Sequence, residues 1–542
     1  MTNQIPPDFL RDVAKKRGVS DAELETVIMA LDGNSTAAIA SMLEISNIAV
    51  RKRLGEVYRK FNIYGRGPGK LAELRHQLYY QYQSNEGEPS SSEPESTGPA
   101  PIVLGSRHQD WGEAPDVSDF YGRSEELQIL EELITEDRCR LVVLLGMAGI
   151  GKTVLSVQLG KQLESDFDYV VWRSLAGSPA PEEIIGDLLQ FLSGQKRPDM
   201  PNDLNGRISR LLDYLRERRC LIVFDDFETL LRGGELAGNY RSGYEGYRKL
   251  IERLGETPHE SCLLIATAEE PAEIALLKGE KVRSVQPMDS DEIARELFDE
   301  KGVVATDKEW QELAKRYGDN LLAYKIVAAT IKEFFNGNVS SFLKATELFV
   351  EDTLNELLEQ QFNRLSPSEE EIMYWLAIER TPVSLSRLRE DLLLPVSLSE
   401  LLKNLESLAR RSLIEKQDST GETSFTLQPL IMKFVTNKLV ANSCMEIQEY
   451  ARTKKIDNIR IWMSHNLGKE SAVPKKTSKS ERISSILMLV KNQLQFLFMR
   501  TGSYDDTIEL LKQMSSVLEE KSQLEVGYAP ENLRQLLAAM AA

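Results

Sequence analysis

The residues with the most specific chemistry are Gly146-Met-Ala-Gly-Ile-Gly151-Lys152-Thr153, which fit G-x-x-x-x-G-K-[ST] without a mismatch. Each residue type has a task in holding phosphate. Gly146, Gly149 and Gly151 let the backbone wrap closely and aim its N–H groups inward. A helix beginning near Gly151 adds the positive end of its dipole. Lys152 reaches β- and γ-phosphates, and the Thr153 hydroxyl is a Mg²⁺ ligand. A second element, Leu221-Ile-Val-Phe-Asp225-Asp226-Phe-Glu228, is an apolar strand that ends in two carboxylates. Asp225 is the candidate Mg²⁺ partner, and Asp226 the group that polarises or positions an attacking water. An acid at a strand end also commonly does no more than cap the next loop. Together the two elements predict an ATP/ADP site with Mg²⁺. Lys152, Asp225 and Asp226 form its catalytic set, and Thr153 and Asp225 its metal ligands.

The elements around these residues suit that task. Short apolar runs at 141–146, 169–175, 220–226, 261–266 and 282–287 alternate with helical patterns. That alternation predicts an α/β domain over 111–290 with a mostly parallel sheet covered on both faces. The amphipathic pattern at 154–164 follows the glycine loop directly, so the loop stands between a strand and a helix. Cys139, Cys220 and Cys262 fall at or just before strands and read as small core residues. Beyond Asp289 helical periodicity dominates to about Val440, broken by one short strand pair, SLIEKQ and TSFTL, around the turn signal STGE. The expected fold class is multidomain and mixed: a helical N-terminal domain, the parallel-sheet domain, then largely helical segments through a C-terminal region, 442–542, of unknown role.

Composition bounds the partners. The chain has 542 residues, room for about three or four domains. Its 66 Lys and Arg against 84 Asp and Glu give a formal charge of −18. That balance excludes a general polycation but permits one basic module. No apolar run approaches the length of a membrane span, and the first residues lack a signal-peptide core, so no membrane partner and a cytoplasmic location are expected. Four widely spaced cysteines give no disulfide framework. The stretch SNEGEPSSSEPESTGPAP is acidic, proline-rich and without aliphatic residues, so 84–110 is expected to be a disordered linker.

With these residues in place, the core resembles the NB-ARC branch of the signal-transduction ATPases with numerous domains, the STAND class, of bacterial type. Besides the two phosphate-site elements, the likeness rests on Asp110-Trp-Gly-Glu-Ala-Pro115 and on Phe120-Tyr121-Gly122-Arg123-Ser-Glu-Glu126-Leu127. It covers about 110–440. It implies a helical domain over 291–360 and a winged-helix domain over 361–441 after the sheet domain. It also implies that Phe120, Tyr121, Gly122 and Arg123 help hold base and ribose, the alternative being an ordinary turn before a helix. Three positions depart from the family pattern. Its sensor arginine is replaced within Ala266-Thr267-Ala268-Glu269-Glu270, which leaves the Thr267 hydroxyl as a nucleotide donor. Leu321 stands for a proline near the adenine, and Gln428 for a histidine near the β-phosphate. Slow hydrolysis follows. The family role implied is a switch: closed with ADP, and with ATP open to self-oligomerisation or protein partners. The alternatives are a nucleotide-stabilised scaffold without turnover and a conventional P-loop ATPase. Winged helices also bind DNA, for which Arg410-Arg411 would be available, but in this family the domain usually packs on the nucleotide.

Residues 1–83 carry a separate signal. Ile39, Leu43, Ile45, Val50, Leu54, Val57 and Phe61 fall at helix–turn–helix spacing. From Arg51 to Arg75 eight basic residues face two acids, a local charge of +6. The pattern resembles LuxR/GerE-type helix–turn–helix domains, with Arg51, Lys52, Tyr58 and Arg59 as DNA-contact candidates. A contact with an acidic protein surface, or a merely solvated face, fits the same residues.

Overall fold

The computed structural model describes residues 11–541 except 12, 16, 18, 32–38, 40–41, 44, 62–73, 75–107, 118–119, 121, 196–199, 287–290, 346–351, 394–395, 420–421, 470–485 and 500–503. Tyr121 and the 84–107 part of the expected linker lie outside the described residues. The chain divides into two compact units, Met1–Val103 and Leu104–Ala542.

In the first unit, helices α1 (Asp21–Leu31) and α2 (Asn47–Lys60) share a small core. Val50, Val57 and Phe61 are buried and Leu54 is half-buried, the stripe expected of α2. Of the DNA-contact candidates, Lys52 is exposed, whereas Tyr58 is half-buried against the Val27–Val57–Phe61 cluster. The side chains of Arg51 and Arg59 lie outside the described residues. Part of the basic charge is used internally: Lys60 pairs with Glu23 at 2.6 Å, and Arg53 bonds the α1 backbone at the Ala22 carbonyl.

The second unit starts with a six-stranded parallel sheet of order β1-β3-β4-β5-β2-β6. Its strands are β1 (His108–Asp110), β2 (Leu141–Leu145), β3 (Tyr169–Ser174), β4 (Cys220–Asp225), β5 (Cys262–Thr267) and β6 (Val282–Val285). Five answer to the apolar runs. Strand β1 begins three residues before the expected domain start at 111; its sequence, His-Gln-Asp, has no apolar pattern because it is a partly exposed edge paired on one side to β3. The central strands are buried on both faces. Leu141, Val143 and Leu145 face one apolar cluster, and Val142 and Leu144 face the other, as the two-residue repeat of a strand requires. Helices α3 (Ser124–Thr135) and α4 (Lys152–Gln162) flank the sheet, and Cys139, Cys220 and Cys262 are buried in its layers.

After the sheet come α5 (Asp291–Glu300), α6 (Asp307–Tyr317), α7 (Leu321–Phe334), α8 (Asp352–Phe362), α9 (Pro367–Glu379), α10 (Leu398–Arg410) and α11 (Pro429–Thr453). Ser366 caps α9 in a capping box with Glu369, and Pro367 takes the first helical position, as the sequence favours. A small antiparallel sheet of β7 (Val383–Ser384), β8 (Glu415–Ser419) and β9 (Glu422–Thr426) has order β7-β9-β8. The hairpin β8–β9 answers to the expected strand pair; the two-residue β7 is too short to leave a sequence signal.

The expected boundaries at 360/361 and 441/442 fall inside α8 and α11. One contiguous apolar cluster runs from Ala294 through Trp375 and Phe434 to Met540, so the described residues beyond 441 are packed as one body with the segments before them. Asn532 is a junction of that body. It is fully buried; its Nδ2 donates to the carbonyls of Trp462 at 2.9 Å and His465 at 2.7 Å, and its Oδ1 accepts from Leu467 N at 2.9 Å. Among the described residues no helix is long and apolar enough to cross a membrane. The Asn532→Ala variant strands three buried backbone groups, at roughly 1–3 kcal/mol for an unsatisfied group. We expect a loss of at least about 2 kcal/mol, read as a lower denaturant midpoint with an unchanged slope; an unshifted midpoint would contradict the packing described.

Candidate functional site

The glycine loop occupies the turn between β2 and α4. Gly149 (φ +83°) and Gly151 (φ +96°) adopt left-handed backbone that side chains disfavour. Gly149 also has no room for a Cβ, which would stand 3.0 Å from Asn320 Oδ1 and from Leu322 Cβ. Those atoms belong to the start of α7, which is docked on the loop: Leu322 N donates to the Gly149 carbonyl at 3.1 Å and Asn320 Nδ2 to the Ala148 carbonyl at 3.0 Å. Asn320 also caps α7 by accepting from Ala323 N at 2.9 Å. Gly146 is buried, and its N–H donates to the Thr267 carbonyl at the end of β5, 3.2 Å away.

Lys152 folds back over the loop, with Nζ 2.8 Å from the Gly146 carbonyl and 3.1 Å from that of Met147. Burial lowers the pKa of its ammonium, against the pull of Glu228, Asp225 and Asp226. Asp225 ends β4 and is 2% exposed. Its Oδ1 accepts from Asp226 N at 2.9 Å, while Oδ2 is buried without a hydrogen-bond partner. Burial pushes the Asp225 carboxyl up to about 6; the Asp226 charge adds to the shift and the Thr153 hydroxyl opposes it. Asp226 holds a left-handed conformation (φ 56°), and its Oδ2 accepts from Ser174 Oγ at 2.9 Å. Non-glycine residues in that region are uncommon and concentrate at functional sites.

These groups share one cavity of about 720 Å³ with Phe120, Arg123, Leu321 and Leu322, a size typical of small-molecule sites. One end is the polar loop and the acids of β4; the flank carries Phe120, Ile293, Leu297, Leu321 and Leu357. The orphaned oxygen of Asp225 beside the Thr153 hydroxyl is a donor set that fits a hard cation completing its shell with phosphate and water. Among the described residues no group of three or more His, Cys, Asp or Glu is placed to hold a metal ion.

Several expected residues sit differently from their assigned roles. Arg123 does line the cavity, yet its guanidinium is spent on the loop, donating to the Ile150 carbonyl at 2.5 Å and pairing with Glu126 at 3.1 Å. Gly122 (φ +58°) does not line the cavity; a Cβ there would meet Ile293 Cγ1 at 2.5 Å, so its role is to let α5 approach. Thr267 is fully buried and outside the lining. Its hydroxyl is engaged by Glu228 Oε2 at 3.1 Å and the Glu269 carbonyl at 2.9 Å, because the chain turns on it directly after β5. Ala268 lines the cavity, whereas Gln428 stands at the N-terminus of α11 and does not. The Arg410-Arg411 pair offers no DNA face. Arg410 pairs with Glu406, and Arg411 is 3% exposed inside the nucleotide cavity.

Five charged residues of the cavity were not legible as site residues: Glu228, Glu269, Lys325, Arg364 and Arg411. Glu228 bonds Ala268 N at 3.0 Å and so joins the exits of β4 and β5. It stands three residues after Asp225, close enough for the strand-end pattern to have included it. Nothing local marks Arg364 or Arg411: Glu269 lies 95 positions from Arg364, and the Glu235 carbonyl 176 from Arg411.

An uncharacterized WD repeat-containing protein of Nostoc sp. is 42% identical, over 79% of this chain and 37% of that one. The chain thus spans little more than a third of that relative's length, and less of the other curated relatives it matches first. Among solved structures, a Walker-type ATPase of Pyrococcus abyssi aligns at 17% identity and TM-score 0.40, over 58% of this chain and 96% of that one. A STAND protein with a tetratricopeptide repeat sensor from Pyrococcus horikoshii aligns at 18% identity and TM-score 0.31, over 80% of this chain and 60% of that one. Residues 124–230, which carry the glycine loop and the strand-end acids, match the family model of the NB-ARC domain, and the parallel sheet that holds them is a P-loop nucleotide-binding core.

Proposed function

We propose that the protein is an ADP/ATP switch of slow turnover, in which the nucleotide at the glycine loop governs how the segments after the sheet pack on it. The observation that carries this reading is the docking of α7 on the loop, with Asn320 and Leu322 bonded to the Ala148 and Gly149 carbonyls. Whatever occupies the loop meets the helical body at once. Backbone N–H groups of the loop and the α4 terminus receive phosphate, and Lys152 exchanges its two carbonyl partners for phosphate oxygens. Thr153 and Asp225 would hold a Mg²⁺ ion, which neutralises phosphate charge when bound. Asp226, fixed by Ser174, is placed to orient a water. Phe120 and the leucines of the flank take the base. Differential affinity of the two packings for ADP and ATP is what moves the switch. The segment of α9, α10 and the small sheet is read as the winged-helix part, and opening would expose surface for self-association or protein partners. Scaffold and conventional-ATPase readings differ by turnover.

The test is the nucleotide carried through purification of the full chain, released by denaturation and identified by chromatography. Near-stoichiometric ADP is expected, lost in Lys152→Ala, whose ADP affinity should fall by roughly 10–100-fold, about 1.4–2.7 kcal/mol. Turnover above about 1 s⁻¹ would favour the conventional enzyme. Retained nucleotide with no effect of Lys152→Ala on assembly or output would favour the scaffold.

Asp225 adds a pH dependence. Its carboxyl, raised to about 6, is protonated below that pH and cannot serve a cation. Mg²⁺-dependent nucleotide affinity should therefore fall as pH drops from 7 to 5, while affinity measured in chelator should not follow the same curve. An identical profile with and without Mg²⁺ would remove Asp225 from the metal role.

For the N-terminal unit the reading is DNA contact as transcriptional output, supported by exposed Lys52 on α2 within the +6 segment. Full-length protein should bind mixed duplexes in a salt-sensitive way, with Lys52→Ala lowering affinity and reducing the salt slope by about 1. A flat titration at low salt would leave contact with an acidic protein surface as the better account.

A further inference from the structure

The wall of the nucleotide cavity contains a charge cluster that phosphate binding alone does not explain. Glu269 stands two residues beyond β5, its side chain 2% exposed. Its Oε2 accepts from Arg364 Nη2 at 2.8 Å and Nε at 3.1 Å, and lies 3.2 Å from Arg411 Nη1. Its Oε1 accepts from Gly238 N at 2.8 Å. Arg411 Nε also lies 3.4 Å from Glu369 Oε1, which in turn accepts from Ser407 Oγ at 2.6 Å. Glu269 belongs to the sheet part, while Arg364 follows α8 and Arg411 follows α10. The cluster is therefore an ionic seam between the sheet and the helical body, and its two arginines and Glu269 line the same cavity as Lys152 and Thr153.

Its charge is already balanced. Two carboxylates, Glu269 and Glu369, meet two guanidiniums, so their formal charges cancel, although Arg411 Nε and Nη1 are buried without a hydrogen-bond partner. Thr153 and Asp225 would hold a cation at the end of β4, where it would neutralise phosphate charge and favour a third phosphate on that side of the cavity. Strand β5 is the neighbour of β4, and Glu228 ties the two exits together through Thr267 and Ala268. A third phosphate thus arrives on the wall that Glu269 shares, beside a carboxylate that repels it. The same phosphate attracts Arg364 and Arg411, whose planar donor forks match phosphate oxygens as well as they match a carboxylate.

We propose that Glu269 makes this site selective for a nucleoside diphosphate, and that its pairs with Arg364 and Arg411 form a latch for which the γ-phosphate competes. The proposal rests on the nucleotide-switch reading. A diphosphate leaves the latch shut. A triphosphate is admitted when the guanidiniums turn from Glu269 to the γ-phosphate, and the seam between sheet and helical body loses its ion pairs.

The test measures dissociation constants of the full-length protein for ADP and for a non-hydrolysable ATP analogue, both with Mg²⁺. Glu269→Gln removes the repelling charge and is expected to raise analogue affinity relative to ADP by about 5–50-fold. Arg364→Gln keeps the carboxylate and removes one phosphate partner, so the same ratio should move the other way, by about 3–10-fold. Opposite signs are a readout that general destabilisation does not produce, since loosening the fold weakens both nucleotides together. Unchanged ratios in both variants, or shifts of the same sign, overturn the latch while wild-type ADP binding leaves the site reading intact. A wild-type protein that binds neither nucleotide overturns both.

Discussion

The start of α7 lies directly on the glycine loop, and most of the architecture around the site follows from that contact. Gly149 sits with no space for a Cβ between itself and Asn320 or Leu322. The carbonyls of Ala148 and Gly149, which a free phosphate loop would turn to water, are taken by α7. A buried carbonyl requires a partner, and here the partner comes from another layer of the protein. Met147 and Ile150 of the same loop are buried in the apolar cluster that continues to Met540. The phosphate loop is thus part of two cores at once: the sheet's by sequence position, and the helical body's by packing.

This dual membership accounts for how residues 290–541 are organised. Periodicity identifies each helix there, because every one has an apolar stripe, but it cannot say which stripes meet. Helix α11 carries 25 residues without an internal glycine or proline, so it crosses the expected limit of the winged-helix part and carries the C-terminal region into the shared core. Trp462 and Asn532 complete the junction through backbone bonds that no spacing announces.

The same contrast separates what could be read of the site from what could not. The loop glycines, Lys152, Thr153 and the acids at the end of β4 are legible because phosphate chemistry fixes residue type and spacing within a few positions; all but the buried Gly146 line one cavity. Strands β2, β4 and β5 are legible because fully covered parallel strands are continuous apolar runs. Edge strand β1 is not, since a half-covered edge need not be apolar. Thr267 shows the opposite failure: a hydroxyl at the right strand end is consumed by its own turn. Glu269, Arg364 and Arg411 were invisible for a third reason. An ion pair between residues more than ninety positions apart leaves no local pattern, and the acid at 269, next to the Ala268 that replaces the sensor arginine, shows no role until its partners are seen.

The site also holds groups whose local cost needs a compensating ligand. Asp225 keeps a buried oxygen without a donor, and Asp226 bears a left-handed backbone with a Cβ. Each is unfavourable by itself, by roughly 1–3 kcal/mol for features of these kinds. Sheet packing does not require either: Val223 and Phe224 already fill the two faces at that end of β4. The seam of Glu269 with its arginines is balanced in charge, whereas Asp225 keeps a carboxylate oxygen without a hydrogen-bond partner. Free energy from a bound cation and phosphate is therefore available first at Asp225 and Lys152, and only a ligand long enough to reach the β5 exit meets the seam. That order, from the unpartnered oxygen of Asp225 to the charge-balanced seam, is what lets a short and a long phosphate chain have different consequences in one cavity.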